Sequence, residues 1–435
     1  MRRTLFSLLL AAACGRATGS LEPVTYEADI RPLVEQRCQA CHVSGGIAPF
    51  TLGSYDEVKA MASSARAAIE ARRMPPFLAA RGCTDYLDDL SLSDEEIARF
   101  GAWVDQGLQR GVPSGAAPMS SANASEGMLA RVDSTLSMPA PYTVQESPDE
   151  YRCFVLDWPQ TAAKYVTGLR VVPGNPKVVH HVIAYLATPD QVQAVMDADA
   201  ADPDPGYRCF GGPGAGVRGW LGAWAPGGSG SMYPADTGLL VDVGSKVVLQ
   251  VHYNVQSGSP DKTDQTQIQM ALEDSVQRRA VLLLWTNPQW VDGMGMDIPA
   301  YQADVVHSFA YDPTPYLGVI TRGALHSDVG LRLYSASLHQ HLLGHSSRLE
   351  ILRGDGVTKE CLLDIPRWDF HWQRSYGFAK GKVFHPGDRL NVTCHWDNSA
   401  EAQPSVGGVK QTPRDVKWGE GTGDEMCLGI LYVTE

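Results

Sequence analysis

The sequence predicts a multidomain protein: a small all-α domain followed by two all-β sandwich domains of jelly-roll-like architecture. Three observations predict it. A helical pattern with a capping signature closes near residue 110. A polar linker follows, and from about residue 131 short Val-, Leu- and Tyr-rich runs alternate with Gly, Pro and Asp turns. Such runs denote sandwiches, and ~300 residues of them divide more comfortably into two than one. The length of 435 residues admits about three domains. Composition agrees: 44% hydrophobic residues against 20% charged can build a sizeable core, and 43 Gly with 28 Pro favour turn-rich β structure.

The opening "MRRTLFSLLLAAACG" reads as an export signal over residues 1–21. Arg2 and Arg3 precede an apolar stretch too short to span a bilayer as a mature helix. Ala11, Ala12 and Ala13 before Cys14 resemble a bacterial lipoprotein signal, which would make Cys14 a lipid anchor. Simple cleavage after an A-x-A site is the alternative. Both imply an exported protein, periplasmic or on the outer surface, and export makes disulfides plausible among the nine cysteines.

The helical domain is expected over residues 22–112. In "SLSDEEIARFGAWVDQGLQRG", Ser93 and Glu96 form a capping box, and Ile97, Phe100, Val104 and Leu108 recur on one face. Upstream stands Cys38-Gln-Ala-Cys41-His42, the C-x-x-C-H spacing that lets two thiols add to the vinyl groups of one porphyrin and sets a histidine beneath its iron. A redox C-x-x-C pair with an incidental histidine is the alternative. The region from about residue 24 to 110 resembles the class I-like bacterial cytochromes c. That resemblance implies one covalently attached haem c, with Met74 on the following loop as the sixth ligand. Met61 competes, but its surroundings read as helix, where methionine usually fills a core. Residues 113–130, small and polar, form the linker.

The β region divides at about 295, giving sandwiches over 131–295 and 296–435. Three histidine groups lie in its apolar runs: His180-His181 in "VVHHVIAYL", His252 in "LQVHYNV", and His339-x-His341 in "LHQHLLGH". Alternate residues of a strand face one way, so His339 and His341 are expected side by side. A buried imidazole needs a partner, and imidazoles suit copper, zinc, iron or nickel. Met426, just before the terminal strand, shifts the choice towards copper at a site that includes it. His345, His307, His326, His371, His385 and His395 read as surface or supporting residues.

Taken in order, "VVHHVIAYL", "GAWAPGG", "YPADTGLLV", "LQVHYNV", "LHQHLLG", "HPGDRLNVTCHWDNS" and "GDEMCLGILY" resemble the copper type II ascorbate-dependent monooxygenases, across both sandwiches. The resemblance implies two copper ions. His180, His181 and His252 would hold the electron-transfer copper; His339, His341 and Met426 would hold the catalytic copper, where O₂ binds and a C–H bond is hydroxylated. It also implies disulfides Cys153–Cys209 and Cys394–Cys427, leaving Cys83 and Cys361 unassigned. Peptide-hydroxylating members carry an arginine where this chain has Ser337, so a glycine-extended peptide is not the expected substrate. The expected partners are a small organic substrate, O₂, and ascorbate or a redox protein as donor, with electrons relayed through the haem to the first copper. A net charge of −13 with no basic run argues against nucleic acid. The alternative is a copper-binding or electron-carrier lipoprotein without hydroxylase activity.

Overall fold

A computed structural model describes residues 23–435, apart from 40, 45–47, 88, 114–128, 148, 210, 215, 218, 226–229, 256–260, 371, 407–408, 420 and 422. The export signal with Cys14, most of the linker, and His371 therefore lie outside the described residues.

The first unit carries helices. A π-helical turn, Tyr26–Ile30, runs into a helix at Arg31–Arg37, and helices Tyr55–Glu70 and Asp94–Asp105 complete it. The capping box at Ser93 and Glu96 is present. Ile30, Val34, Val58, Phe100 and Trp103 bury a core of their own.

The rest is almost entirely β, as two sandwiches predict, but they are not separate. One nine-stranded sheet crosses both halves. From one edge it runs through Ser134–Ser137, Gln267–Glu273, Lys164–Val172, Thr237–Val241 and Arg278–Trp285, then Leu428–Thr434, Leu331–His339 and Tyr376–Phe384, with the short ninth strand Ser231–Met232 pairing with Lys164–Val172 off this path. A five-stranded sheet containing Asp149–Asp157, Lys246–Asn254 and Val179–Ala187 covers the first half. A four-stranded sheet of Val305–Tyr311, Arg389–Trp396, Gly344–Leu352 and Lys359–Ile365 covers the second. Each half has its own apolar core, and Tyr432 of the last strand packs into the first-half core, where its hydroxyl meets Thr237 Oγ1 at 2.8 Å.

The six cysteines outside the C-x-x-C-H motif and the signal are paired as Cys153–Cys209, Cys394–Cys427 and Cys83–Cys361. The third bond joins the helical unit to the second half. Around it Phe77, Leu78, Ala79 and Tyr86 enter the second-half core. Ala80 N donates to Asp364 O at 2.8 Å, Leu87 N to Gly377 O at 2.7 Å, and Tyr86 Oη to Leu362 O at 3.0 Å. The helical domain is thus not only joined by its linker but docked, through a segment that contributes apolar side chains and backbone hydrogen bonds.

Replacing Cys83 and Cys361 together by serine is expected to destabilise this docking by about 2–5 kcal/mol. Scanning calorimetry should then show a separate, earlier transition. One unchanged transition would mean that the Phe77–Leu87 packing suffices without the bond.

Candidate metal centres

Adjacent residues of a regular strand point to opposite faces, so a His-His doublet needs a local irregularity to present both rings together. The structure supplies it. Strand Lys246–Asn254 pairs His252 with His181 and then Tyr253 with Val179, skipping His180. His180 is the extra residue of a β-bulge, which re-aims it towards its neighbour.

The three rings meet through one nitrogen each. His180 Nδ1 lies 3.3 Å from His181 Nδ1 and 3.2 Å from His252 Nδ1, and the third edge is 3.2 Å. His252 Nε2–H donates to Asp149 Oδ1 at 2.9 Å, which leaves a lone pair on His252 Nδ1. No placement of the remaining protons makes all three edges hydrogen bonds, whereas a cation at the centre satisfies all three lone pairs. Edges of about 3.3 Å are also those of tetrahedral ligands at ~2.0 Å from a metal. The donor set therefore fits a metal ion.

Electrostatics agree. Burial holds His181 well below the ordinary imidazole pKa, helped by the other histidines, and lowers His252 against the opposing pull of Asp149. Both are neutral and able to ligate at neutral pH. Burial works to raise Asp149, but hydrogen bonds from His252 and Asn254 bring it below the usual carboxylate range. Tyr151 stacks flat on His252, with centroids 4.1 Å apart.

The second group is assembled at a strand end. The strand stops at His339, and His341 lies just beyond it, so the expected pair along one strand is corrected to one residue in the strand and one in the following turn. The rings still approach, with centroids 5.0 Å apart. His339 Nδ1 donates to Gln373 Oε1 at 2.6 Å and His341 Nδ1 to the Asp424 carbonyl at 3.0 Å. Both Nδ1 atoms are engaged as donors, leaving Nε2 of each ring to ligate. Burial lowers both pKa values, that of His341 to about 3 with the neighbouring His339 adding to the effect.

Met426 is buried next to Glu425, whose carboxylate accepts from His341 N at 2.8 Å, Leu343 N at 2.6 Å and Trp396 Nε1 at 2.8 Å. Leu428 pairs with His339, and Cys427 is bonded to Cys394. The methionine segment is thus tied to the histidine turn by a carboxylate, a strand pairing and a disulfide. His345 is exposed.

In the helical unit Cys38 and Cys41 are free thiols, while the other described cysteines are paired. Burial pushes Cys38 up to about 12 and also raises Cys41. His42 Nδ1 donates to Phe50 O at 3.1 Å, leaving Nε2 as a potential ligand. Met74 is 46% exposed on the loop after helix Tyr55–Glu70, and Met61 packs partly buried against the helical core.

Asp149, Tyr151, Phe370, Gln373 and Glu425 were not singled out by sequence. Their types and spacing carry no ligand pattern, although the aromatic run "RWDFHWQ" is an unusual composition for a connection between strands.

Two family models match the chain. The copper type II ascorbate-dependent monooxygenase N-terminal domain covers residues 136–260, and the C-terminal domain of the same family covers residues 320–434. Among curated proteins, the chain is similar to DBH-like monooxygenase protein 1 of Gallus gallus, at 22% identity over 59% of this chain and 39% of that protein. It is also similar to dopamine beta-hydroxylase of Rattus norvegicus, at 23% over 68% and 45%, and of Homo sapiens, at 22% over 68% and 46%. The chain thus spans less than half the length of these relatives.

Asp149→Ala is expected to weaken Cu(I) binding at the first group about 10–100-fold, because the His252 ring loses its orienting acceptor. Competition titration with a colorimetric Cu(I) chelator measures this, and affinity at the second group should stay unchanged.

Proposed function

The chain belongs to the copper type II ascorbate-dependent monooxygenase family, which binds two copper ions, and from that premise we propose that it hydroxylates a C–H bond of a small organic substrate with O₂. The balanced reaction is RH + O₂ + 2 e⁻ + 2 H⁺ giving ROH + H₂O. The observation that carries the reading is the Nδ1 triangle of His180, His181 and His252, an arrangement that protons alone do not satisfy.

His180, His181 and His252 are the proposed holders of the electron-transfer copper, and His339, His341 and Met426 of the copper at the O₂ site. When bound, copper supplies one-electron redox chemistry at the first site and O₂ activation at the second. The thioether of Met426 is a soft ligand suited to Cu(I). The chain's own residues keep the sites ready. Asp149 holds the His252 proton on Nε2; Gln373 and the Asp424 carbonyl hold those of His339 and His341 on Nδ1. Glu425 pins the turn carrying His341 to the segment carrying Met426.

The helical unit extends the proposal. Cys38 and Cys41 would carry a covalent haem c, with His42 Nε2 as one axial ligand and Met74 as the other, and this haem would relay electrons from ascorbate or a redox protein. The free thiols and the hydrogen-bonded His42 support that reading. Export, with or without a lipid at Cys14, belongs to the same proposal. No described helix is long and apolar enough to cross a membrane.

Copper-loaded protein, reduced without air and exposed to ¹⁸O₂ with a panel of small C–H substrates, should yield one labelled oxygen per product. Full loading with two coppers and one haem per chain and no labelled product from any substrate would favour a copper-binding electron carrier. Met426→Ala should lower hydroxylation by roughly two orders of magnitude or more, and His345→Ala should leave it near the native rate. Equal losses in both variants would overturn the ligand assignment.

A further inference from the structure

In the connection Arg367–Arg374, between strands Lys359–Ile365 and Tyr376–Phe384, the described residues contact the helical unit and both histidine groups. On the helical-unit side, Arg367 Nη2 donates to Arg72 O at 3.3 Å, and the Arg374 guanidinium lies 5.5 Å from the Phe77 ring centroid. These contacts flank Met74 in sequence.

On its other side the connection meets both histidine groups. Trp368 Nε1 donates to His341 O at 3.0 Å, and Gln373 Oε1 accepts from His339 Nδ1 at 2.6 Å. Phe370 stacks on His180, with centroids 5.3 Å apart and planes at 22°, and meets His341 edge-on at 6.1 Å and 79°. One aromatic ring thus lies between a candidate ligand of the first site and one of the second. By contrast, the docking contacts of the helical unit described above all run to the second half.

We propose that Arg367–Arg374 is the electron junction of this protein: an electron held by the C-x-x-C-H unit arrives first at the His339/His341/Met426 site, and Phe370 is the ring across which the two copper sites exchange it. The inference rests on the copper and haem assignments of the proposed function. It reverses the order expected from sequence, in which the His180/His181/His252 site is reduced first. Each step is a one-electron transfer without bond change. Fe(II) becomes Fe(III) as one Cu(II) becomes Cu(I), and ascorbate or a redox protein re-reduces the iron. Between the two histidine groups, the Phe370 ring spares the transfer a crossing of open solvent.

The test needs no substrate and no O₂. Protein with reduced haem and oxidised coppers is prepared, and haem oxidation is followed by absorbance while freeze-quenched samples report Cu(II) by electron paramagnetic resonance. Two variants each remove one site, His252→Ala the first and His341→Ala the second. Haem and residual copper content are measured in both. The proposal expects rapid haem oxidation in His252→Ala and its loss, by tenfold or more, in His341→Ala. The opposite pattern would overturn it. Phe370→Leu, which keeps apolar bulk without the ring, should leave haem oxidation unchanged and slow equilibration between the coppers at least tenfold; a native equilibration rate would remove Phe370 from the path. Native protein lacking haem, or holding fewer than two coppers, would instead sink the underlying functional reading and the junction with it. Full loading with the reversed order would sink the junction alone.

Discussion

The strand Leu428–Thr434 is the constraint on which the rest of the molecule depends. It hydrogen-bonds on one edge to Arg278–Trp285 of the first half and on the other to Leu331–His339 of the second. Backbone groups left unpaired in a buried sheet are costly, so these two pairings fix the halves relative to each other. The strand is also where chemistry is attached. Met426 and Cys427 precede it, His339 pairs with its first residue, and Tyr432 reaches into the first-half core. A shift of one residue in this register would turn Met426 away from the histidine turn and send core side chains to the opposite face.

Around that frame, the two histidine groups solve one problem in two ways. Each ring must be neutral, fixed in one tautomer and aimed at a common point. In the first group a bulge aims the doublet, and a carboxylate fixes one ring so that Nδ1 atoms converge. In the second, a side-chain amide and a backbone carbonyl take the Nδ1 protons, so the opposite nitrogens remain. Burial lowers the pKa values of His181, His252, His339 and His341. Orientation is thus set before any ligand arrives, which limits the reorganisation that a metal changing oxidation state demands of its surroundings.

What could be read from the sequence was what local pattern encodes. The capping box at Ser93, the change from helical to strand texture, and the histidines in apolar runs all depend on neighbouring residues. The family resemblance added the ligand sets and two of the disulfides. Three kinds of feature stayed hidden because they depend on tertiary assembly. A sheet that crosses both halves has no local signature, since its pairings join residues 134 to 434. Asp149, Gln373 and Glu425 are ordinary polar residues until folding brings them to a ring or a turn. The third disulfide was an arithmetic remainder, and only the packing of Phe77 and Tyr86 on the second-half core makes its partners neighbours.

That third disulfide also has a consequence for biogenesis. Cys83 and Cys361 are 278 residues apart in sequence, and a chain is made and exported from its N-terminus. While the intervening chain is synthesised, the helical unit carries three thiols at Cys38, Cys41 and Cys83, and export as proposed would expose them to an oxidising compartment. The nearest available partners are then the wrong ones. Under the proposed haem assignment, covalent capture of Cys38 and Cys41 would remove both competitors and reserve Cys83 for a partner that arrives late. On that reading, cofactor attachment would act as a protecting step for correct disulfide pairing, and the order of maturation would become part of what makes the native connectivity attainable.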